Sequence, residues 1–410
     1  MREGRDGPVV ISAAAVLHPA CGTLSDLDHL LRRGRPAGAT RSLDGPPVTA
    51  WAGRRAPLPP RWRERLSSVV GRATLPTRSG GWTAVQAVVA ARLEPDVLSR
   101  AVVVIAGAQP ALDYQYGAVR EFVRGGHAPA RHVGNCFETD CLGAVSDLLG
   151  ARGEGHVTGA ASASGAVGLI EATRLVADGH AETVVVVAPV QELSPLERAA
   201  FVNSGAMSAD GDVSACRPFD TRREGFVHQQ TAAAVVVERA GAAVRRGVRP
   251  LAAVAGHAVR LDGRRGSAPD AEGQVTAMLA ALASAGLRPE QVGYVNAHAT
   301  ASRVGDPVEC VSLHTVFGGV PVESRPLVNS TKGILGHGLG PAGLVEAVVT
   351  AVQLAGGYAH PNPGLRESVD ARIRLVGTGT TAHRSRLALS NSYAFGGVNA
   401  SLVLAALPPP

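Results

Sequence analysis

Seven short apolar runs, rich in Val, Ile, Leu and Ala, punctuate the chain and do more than any other feature to limit its fold. They are VVIS at 9 to 12, AVVVIAG at 101 to 107, TVVVVAP at 183 to 189, AAAVVVE at 232 to 238, YVNAH at 294 to 298, LALSNS at 387 to 392 and ASLVLAA at 400 to 406. Most are continuously apolar rather than alternating, as strands are when both faces of their sheet are covered. Ala-rich stretches with helical periodicity separate them, so the expectation is an α/β architecture with helices on both sides of a sheet. At 410 residues and 45% hydrophobic content the chain has ample material for such a core. The stretch from about 35 to 80, rich in Pro, Arg and Gly, reads as loops around short helices.

Several function classes drop out at once. No run of eighteen apolar residues exists and MREGRDGPVVIS has no signal-peptide core, so neither a membrane span nor secretion is expected, and the cytoplasm is the expected compartment. The five cysteines are scattered and odd in number, against a disulfide framework. His132, Cys136 and Cys141 approach ligand spacing, but no second pair follows, and no metal is expected. The net charge of +6 rests on separated Arg groups without interleaved aromatics, which argues against nucleic acid and leaves room for an acidic protein partner. Lys332 is the only lysine in the chain. Where every other cation is Arg, a single compact ammonium points to a tight site.

The chain also echoes itself. GLIEA at 168 to 172 follows SASGAV, and GLVEA at 343 to 347 follows GHGLGPA, an offset of 175 residues. GFVHQQTAAAVVVE at 225 to 238 is mirrored by AFGGVNASLVLA at 394 to 405. Two related halves, 1–249 and 250–410, are the economical explanation.

Chemistry concentrates in four places. VTGAASASGAVG at 157 to 168 crowds small residues between a strand and a helix, where a reactive atom can stand at a helix N-terminus; Thr158, Ser162 and Ser164 are its candidates. YVNAHATASRVGDPVEC carries His298 just past a strand, with Asp306 and Glu309 further on. VNSTKGILGHGLGPAG carries Lys332 and His337 in a glycine-rich loop, and SNSYAFGGVNASL makes a glycine turn with Tyr393 and Phe395. Two histidines at strand ends with the lone lysine can polarise a carbonyl or stabilise the carbanion left by a departing carboxylate. His156, His228, His257 and His360 read as ordinary structural histidines.

With those residues in view, VNAHATASRVGDPVE, NSTKGILGHGLGPAGLVEA, RPFDTRREGFV and NSYAFGGVNASLV resemble the signature segments of the β-ketoacyl synthases of fatty-acid and type II polyketide assembly, in matching order from about Val9 to the C-terminus. The resemblance implies a thiolase-like fold, two similar α/β halves in a five-layered αβαβα sandwich, usually dimeric. It implies that the phosphopantetheine arm of an acyl carrier protein delivers the substrate, with no bound cofactor. His298 and His337 match the family's two histidines, Lys332 its motif lysine, and Glu309 the acid that pairs with that lysine. Thr300 and Ser302 match hydroxyls that contact the pantetheine arm, and Phe395 matches the gating aromatic whose backbone N–H helps form an oxyanion hole.

The ungapped match from Gly153 puts Ser162 where the family has its nucleophilic cysteine. HQQTA at 228 to 232 likewise replaces a Gly, Glu, Gly, Ala run, SAAA at 12 to 15 a glycine-containing turn, Ala394 a Gly and Val398 a Thr. A serine hydroxyl starts several pH units further from ionisation than a thiol and needs a general base. Its oxygen ester is also a poorer electrophile for a carbon nucleophile, so condensation is not expected. The expectation is an acyltransferase acting on acyl-carrier-protein thioesters through Ser162. The alternative is a non-condensing partner subunit, akin to chain-length factors, in a heterodimer with a Cys-containing ketosynthase rather than a homodimer.

Overall fold

The computed structural model describes residues 7–38 and 57–408. Its strands, in chain order, are β1 (Val9–Leu17), β2 (Val102–Ala106), β3 (Gly155–Thr158), β4 (Thr183–Ala188), β5 (Ala232–Arg239) and β6 (Ala252–Leu261). They continue with β7 (Tyr294–Asn296), β8 (Leu327–Asn329), β9 (Tyr358–Ala359), β10 (Thr381–Ala382), β11 (Leu387–Ala394) and β12 (Val398–Ala405). Among the described residues all but β9 and β10 hydrogen-bond in the order β3-β2-β4-β5-β1-β6-β12-β11-β7-β8.

That order reads identically from either end. β1 runs antiparallel to β5, β5 antiparallel to β4, β4 parallel to β2 and β2 parallel to β3. β6 runs antiparallel to β12, β12 antiparallel to β11, β11 parallel to β7 and β7 parallel to β8. The halves join through two residue pairs, Val10 with Ala253 and Ile11 with Ala252. A topology repeated strand for strand gives the 175-residue echo its structural meaning: two similar halves of a thiolase-like fold.

Residue alternation explains the layering. Val102, Val104 and Ala106 of β2 and Val184, Val186 and Ala188 of β4 face one buried cluster, while Val103, Ile105, Val185 and Val187 face another. The first cluster includes Leu169, Ile170, Leu344 and Val348 from the central helices Ser164–Ala177 and Ala342–Gly356. The second includes Trp82, Val85 and Leu148 from outer helices, and a third outer cluster covers the other half through Met278, Leu282 and Leu313. The stack is therefore helix, sheet, helix pair, sheet, helix. Each fully buried aliphatic side chain contributes about 1.5–3 kcal/mol, and strands buried on both faces need no polar alternation.

The two central helices approach closely where the sequence supplies glycine. A Cβ on Gly165 would lie 2.4 Å from the Leu344 backbone nitrogen, and one on Gly343 2.8 Å from that of Ala166. The Gly165 N–H also donates to the Gly340 carbonyl at 2.9 Å, stitching together positions that are themselves 175 apart.

Sequence reading places β1 at 9 to 12, and the strand continues to Leu17 because the alanines at 13 to 15 are buried on both faces. SAAA is thus a strand interior rather than a turn. β6, with exposed and half-buried positions, and the three-residue β8 carry too weak an apolar signal to stand out. Part of the 35-to-80 stretch, residues 39–56, lies outside the described residues; the rest holds the helices Pro60–Val70 and Leu75–Ala90.

Candidate active site

The small-residue segment after β3 makes a sharp elbow. Ala161 sits at φ 44, the left-handed region that a residue with a Cβ rarely adopts, and opens a single turn, Ala161–Ala163, leading into the helix Ser164–Ala177. Ser164 locks this shape: its buried hydroxyl donates to the Ala161 carbonyl at 2.7 Å and accepts from the Ala160 N–H at 2.8 Å. Thr158 lies on the edge strand β3, paired with Ala106. Of the three hydroxyl candidates, Ser162 alone lines a cleft of about 520 Å³.

His298, His337, Thr300, Ser302, Glu309 and Phe395 line the same cavity. Ser162 Oγ is 3.1 Å from His337 Nε2, and these residues stand 175 apart in sequence, as equivalent positions of the two halves. The repeat therefore brings the elbow of one half against the glycine-rich loop of the other. That loop is held by backbone pairing to Val227 and the start of the HQQTA segment: the His337 N–H donates to the Val227 carbonyl at 2.8 Å, and the Gln229 N–H donates to the His337 carbonyl at 3.2 Å.

The second ring nitrogen of each histidine decides its proton. The Leu339 backbone N–H, which can only donate, points at His337 Nδ1 at 3.4 Å. The Lys332 ammonium meets His298 Nδ1 at 3.5 Å. Both Nδ1 atoms are acceptors, so both histidines carry their proton on Nε2. Burial first, and the Lys332 charge second, hold both imidazoles well below the ordinary histidine range. The rings pack edge to face with centroids 5.8 Å apart, and Phe226 stands edge-on to His337 at 5.0 Å. The result is a pair of neutral N–H donors facing the cleft.

Lys332 is 1% exposed, and the carboxylate it meets is Glu346, on the central helix Ala342–Gly356. This corrects the assignment of Glu309 as its partner. Glu309 instead accepts the His298 N–H at 2.9 Å and the Ala299 N–H at 2.7 Å, fixing the backbone that carries the histidine. Burial pushes the Glu309 carboxyl up to about 7. The signal for Glu346 was present in the sequence, since it is the one acid in the apolar run AGLVEAVVTAVQLAG.

Thr300 is half-buried on the cavity wall. The Ser302 hydroxyl oxygen accepts from the Val304 and Gly305 N–H groups at 3.3 and 3.1 Å, so it caps the start of the helix Gly305–Phe317, with its O–H left to donate. Phe395, 46% exposed, stands beside Phe201, their ring centroids 6.3 Å apart. Phe201 is not singled out by the sequence, and Phe226, although it lies within RPFDTRREGFV, carries no signal of its own that marks it as facing the cavity. Of the histidines read as structural, His360 is buried in a network with Thr331 and the Pro361 carbonyl. His228 is buried against the Gln191 carbonyl and Arg198, and burial pushes it down to about 3. Among the described residues no three His, Cys, Asp or Glu side chains converge to hold a metal ion.

Comparison with known proteins agrees with this geometry. Residues 77–243 match the model of the β-ketoacyl synthase N-terminal domain, and residues 251–366 that of the β-ketoacyl synthase C-terminal domain. Among curated relatives, the chain is 35% identical over 272 residues to the polyketide biosynthesis malonyl-ACP decarboxylase PksF of Bacillus subtilis, covering 65% of this chain and 64% of that protein. It is 36% identical over 275 residues to the mitochondrial 3-oxoacyl-[acyl-carrier-protein] synthase of Arabidopsis thaliana, covering 65% of this chain and 59% of that protein. The matches thus span a little under two thirds of the relatives' own length. Among solved structures, the ishigamide ketosynthase/chain length factor superposes with a TM-score of 0.85 at 22% identity, over 98% of this chain and 99% of that one. AntDE:AntF, a type II polyketide synthase acyl-carrier protein in complex with its ketosynthase, gives 0.82 at 20% identity, over 98% and 99%. With the strand order, the paired histidines and both domain models in agreement, the chain belongs to the β-ketoacyl synthase family.

Proposed function

We propose that the protein decarboxylates a malonyl-type thioester carried on the phosphopantetheine arm of an acyl carrier protein. The observation that carries this reading is the fixed Nε2–H tautomer of both cavity histidines, with a serine where a thiol would be needed for condensation. Breaking the bond between the carboxylate and the α-carbon releases carbon dioxide and leaves an enolate on the thioester. Two neutral N–H donors aimed at the thioester oxygen stabilise the charge that develops there, and a proton from solvent then completes the acetyl thioester. Thr300 and the Ser302 O–H are the hydroxyls available to the pantetheine arm, and Phe395 stands as the gate. No cofactor enters the reaction. That a relative of 35% identity bears the name malonyl-ACP decarboxylase supports the same reading.

Acyl transfer through Ser162 is the second reading, favoured by the 3.1 Å contact with His337. It requires His337 Nε2 to accept the serine proton, whereas the Leu339 N–H opposite holds the lone pair on Nδ1 and makes Nε2 the donor. A silent partner subunit has no use for two histidines held in matched tautomers. Pairing with a second copy or with a Cys-containing ketosynthase is compatible with decarboxylation. The exposed Val119, Phe122 and Val123 on the helix Leu112–Gly125, with Val133 and Phe137 just after it, offer an apolar face for either.

The test is incubation with malonyl-loaded carrier protein, followed by intact mass of both proteins. The reading predicts a carrier that loses carbon dioxide and an enzyme that gains no acyl adduct. An acyl adduct that disappears in Ser162→Ala, with no decarboxylation, would establish acyl transfer instead.

A further inference from the structure

Gln191 lines the cavity together with Ser162 and His337, and neither the echo nor the signature motifs include it. Two of its polar groups are committed. Its backbone carbonyl accepts from His228 Nε2 at 3.1 Å, and its side-chain Oε1 accepts the Gly340 N–H at 2.9 Å. A backbone N–H can only donate, so the amide has to present its oxygen to Gly340, and this fixes the orientation of the NH2 group. That NH2 group has no hydrogen-bond partner among the described residues, on a half-buried side chain in the cavity wall. The charge around it is distinctive: among the described lining residues Arg303 is the one cation, exposed and 3.8 Å from the Glu224 carboxylate.

We infer that the Gln191 amide N–H binds the free carboxylate of the malonyl group and selects it over the acetyl product; this rests on the decarboxylation reading above. A neutral donor suits a carboxylate that has to leave. A cation at this point would stabilise the bound substrate most and the departing neutral carbon dioxide least, raising the barrier it is meant to lower. An amide recognises the carboxylate by geometry and loses less when the charge migrates to the thioester oxygen beside the histidines. Fixing the amide through Gly340 ties this recognition to the loop that carries His337.

The experiment compares KM for malonyl-carrier protein with the competitive Ki of acetyl-carrier protein, in the wild type, Gln191→Leu and Gln191→Glu. The glutamate keeps an acceptor for the Gly340 N–H while removing the donor. Losing one charge-assisted hydrogen bond predicts a rise in malonyl KM of about tenfold in Gln191→Leu, and a larger rise in Gln191→Glu, with acetyl Ki within about twofold of wild type in both. A fall in kcat with the ratio of KM to Ki unchanged would overturn the inference and leave Gln191 as a support for the Gly340 loop. If the wild type turns over no malonyl-carrier protein, the functional reading fails, and equilibrium binding of malonyl- and acetyl-carrier protein decides this inference alone. A malonyl preference lost in Gln191→Glu then sustains it, and no preference in the wild type overturns it.

Discussion

Replacing Lys332 by Met separates the two tasks this account gives the only lysine. Lys332 and Glu346 form an ion pair with side chains 1% and 3% exposed, so removing the ammonium leaves a buried carboxylate without its counter-charge. Breaking a buried pair in this way costs about 3–5 kcal/mol. Unfolding entropy of about 2.1 cal/mol/K per residue over 410 residues gives ~0.9 kcal/mol/K, so the melting midpoint is predicted to fall by about 4 to 6 °C. Adding Glu346→Leu removes the stranded charge and restores most of that loss, because a well-packed apolar pair is often as stable as a buried ionic one. Activity behaves differently. The ammonium sits 3.5 Å from His298 Nδ1, which puts it about 8 Å from an enolate oxygen held at Nε2. At an effective dielectric of about 20, a unit charge at that distance is worth about 2 kcal/mol, about thirtyfold in rate. Removing it also releases the tautomer. Lys332→Met is therefore predicted to decarboxylate at least about thirtyfold more slowly, whereas the double variant, which loses the opposing Glu346 charge as well, is predicted to melt near wild type and stay slower than wild type through the freed tautomer alone, read by differential scanning fluorimetry and by carrier-protein mass. Full activity in the double variant would refute the role given to the lysine, and an unshifted midpoint in Lys332→Met would refute the ion-pair argument.

Two further perturbations address the scaffold. Gly165→Ala drives a Cβ to within 2.4 Å of the Leu344 nitrogen, a backbone atom with nowhere to go, so it is predicted to cost about 1–3 kcal/mol or more and to part the elbow from the His337 loop; circular dichroism melts against Ala166→Gly as a control check this. Acidification is predicted to destabilise the fold as pH falls below about 6.5. Burial holds His228, His298, His337 and His360 below their ordinary value, so the unfolded chain binds protons that the folded chain refuses, at up to about 1.4 kcal/mol per pH unit for each. Asp306 and Glu309, pushed up by burial to about 6 and about 7, act in the opposite sense and soften the slope. Denaturant midpoints at pH 7 and pH 5.5 measure the difference, and equal midpoints would contradict these burial assignments.

How far the sequence could be read depended on whether a residue's role was local. Strands buried on both faces announce themselves as apolar runs, and β2, β4, β5 and β12 were legible for that reason. The 175-residue echo was faint as text, yet it marks the contact that matters most, since Ser162 and His337 occupy equivalent positions and touch. The histidine pair and the lone lysine were legible from glycine-rich motifs at strand ends. The lysine's partner was not: Glu309 was assigned to it by motif, whereas three-dimensional packing delivers Glu346 from a helix one turn of sequence beyond the loop and turns Glu309 toward backbone N–H groups. Gln191 carries no local signal at all, because its significance depends on a single backbone donor 149 residues away. Tautomers were equally out of reach, being set by what opposes Nδ1 in space.

The most direct test of the central claim is the single-turnover rate of carbon dioxide loss from malonyl-carrier protein in the wild type, Ser162→Ala and His298→Ala. If the histidine donors perform the chemistry without a nucleophile, Ser162→Ala stays within about fivefold of wild type, because it loses only a neutral hydrogen bond. His298→Ala, which removes a donor to the developing oxyanion, falls by about 10²–10³. A Ser162→Ala rate as low as that of His298→Ala would contradict the account and make the serine hydroxyl the reacting group.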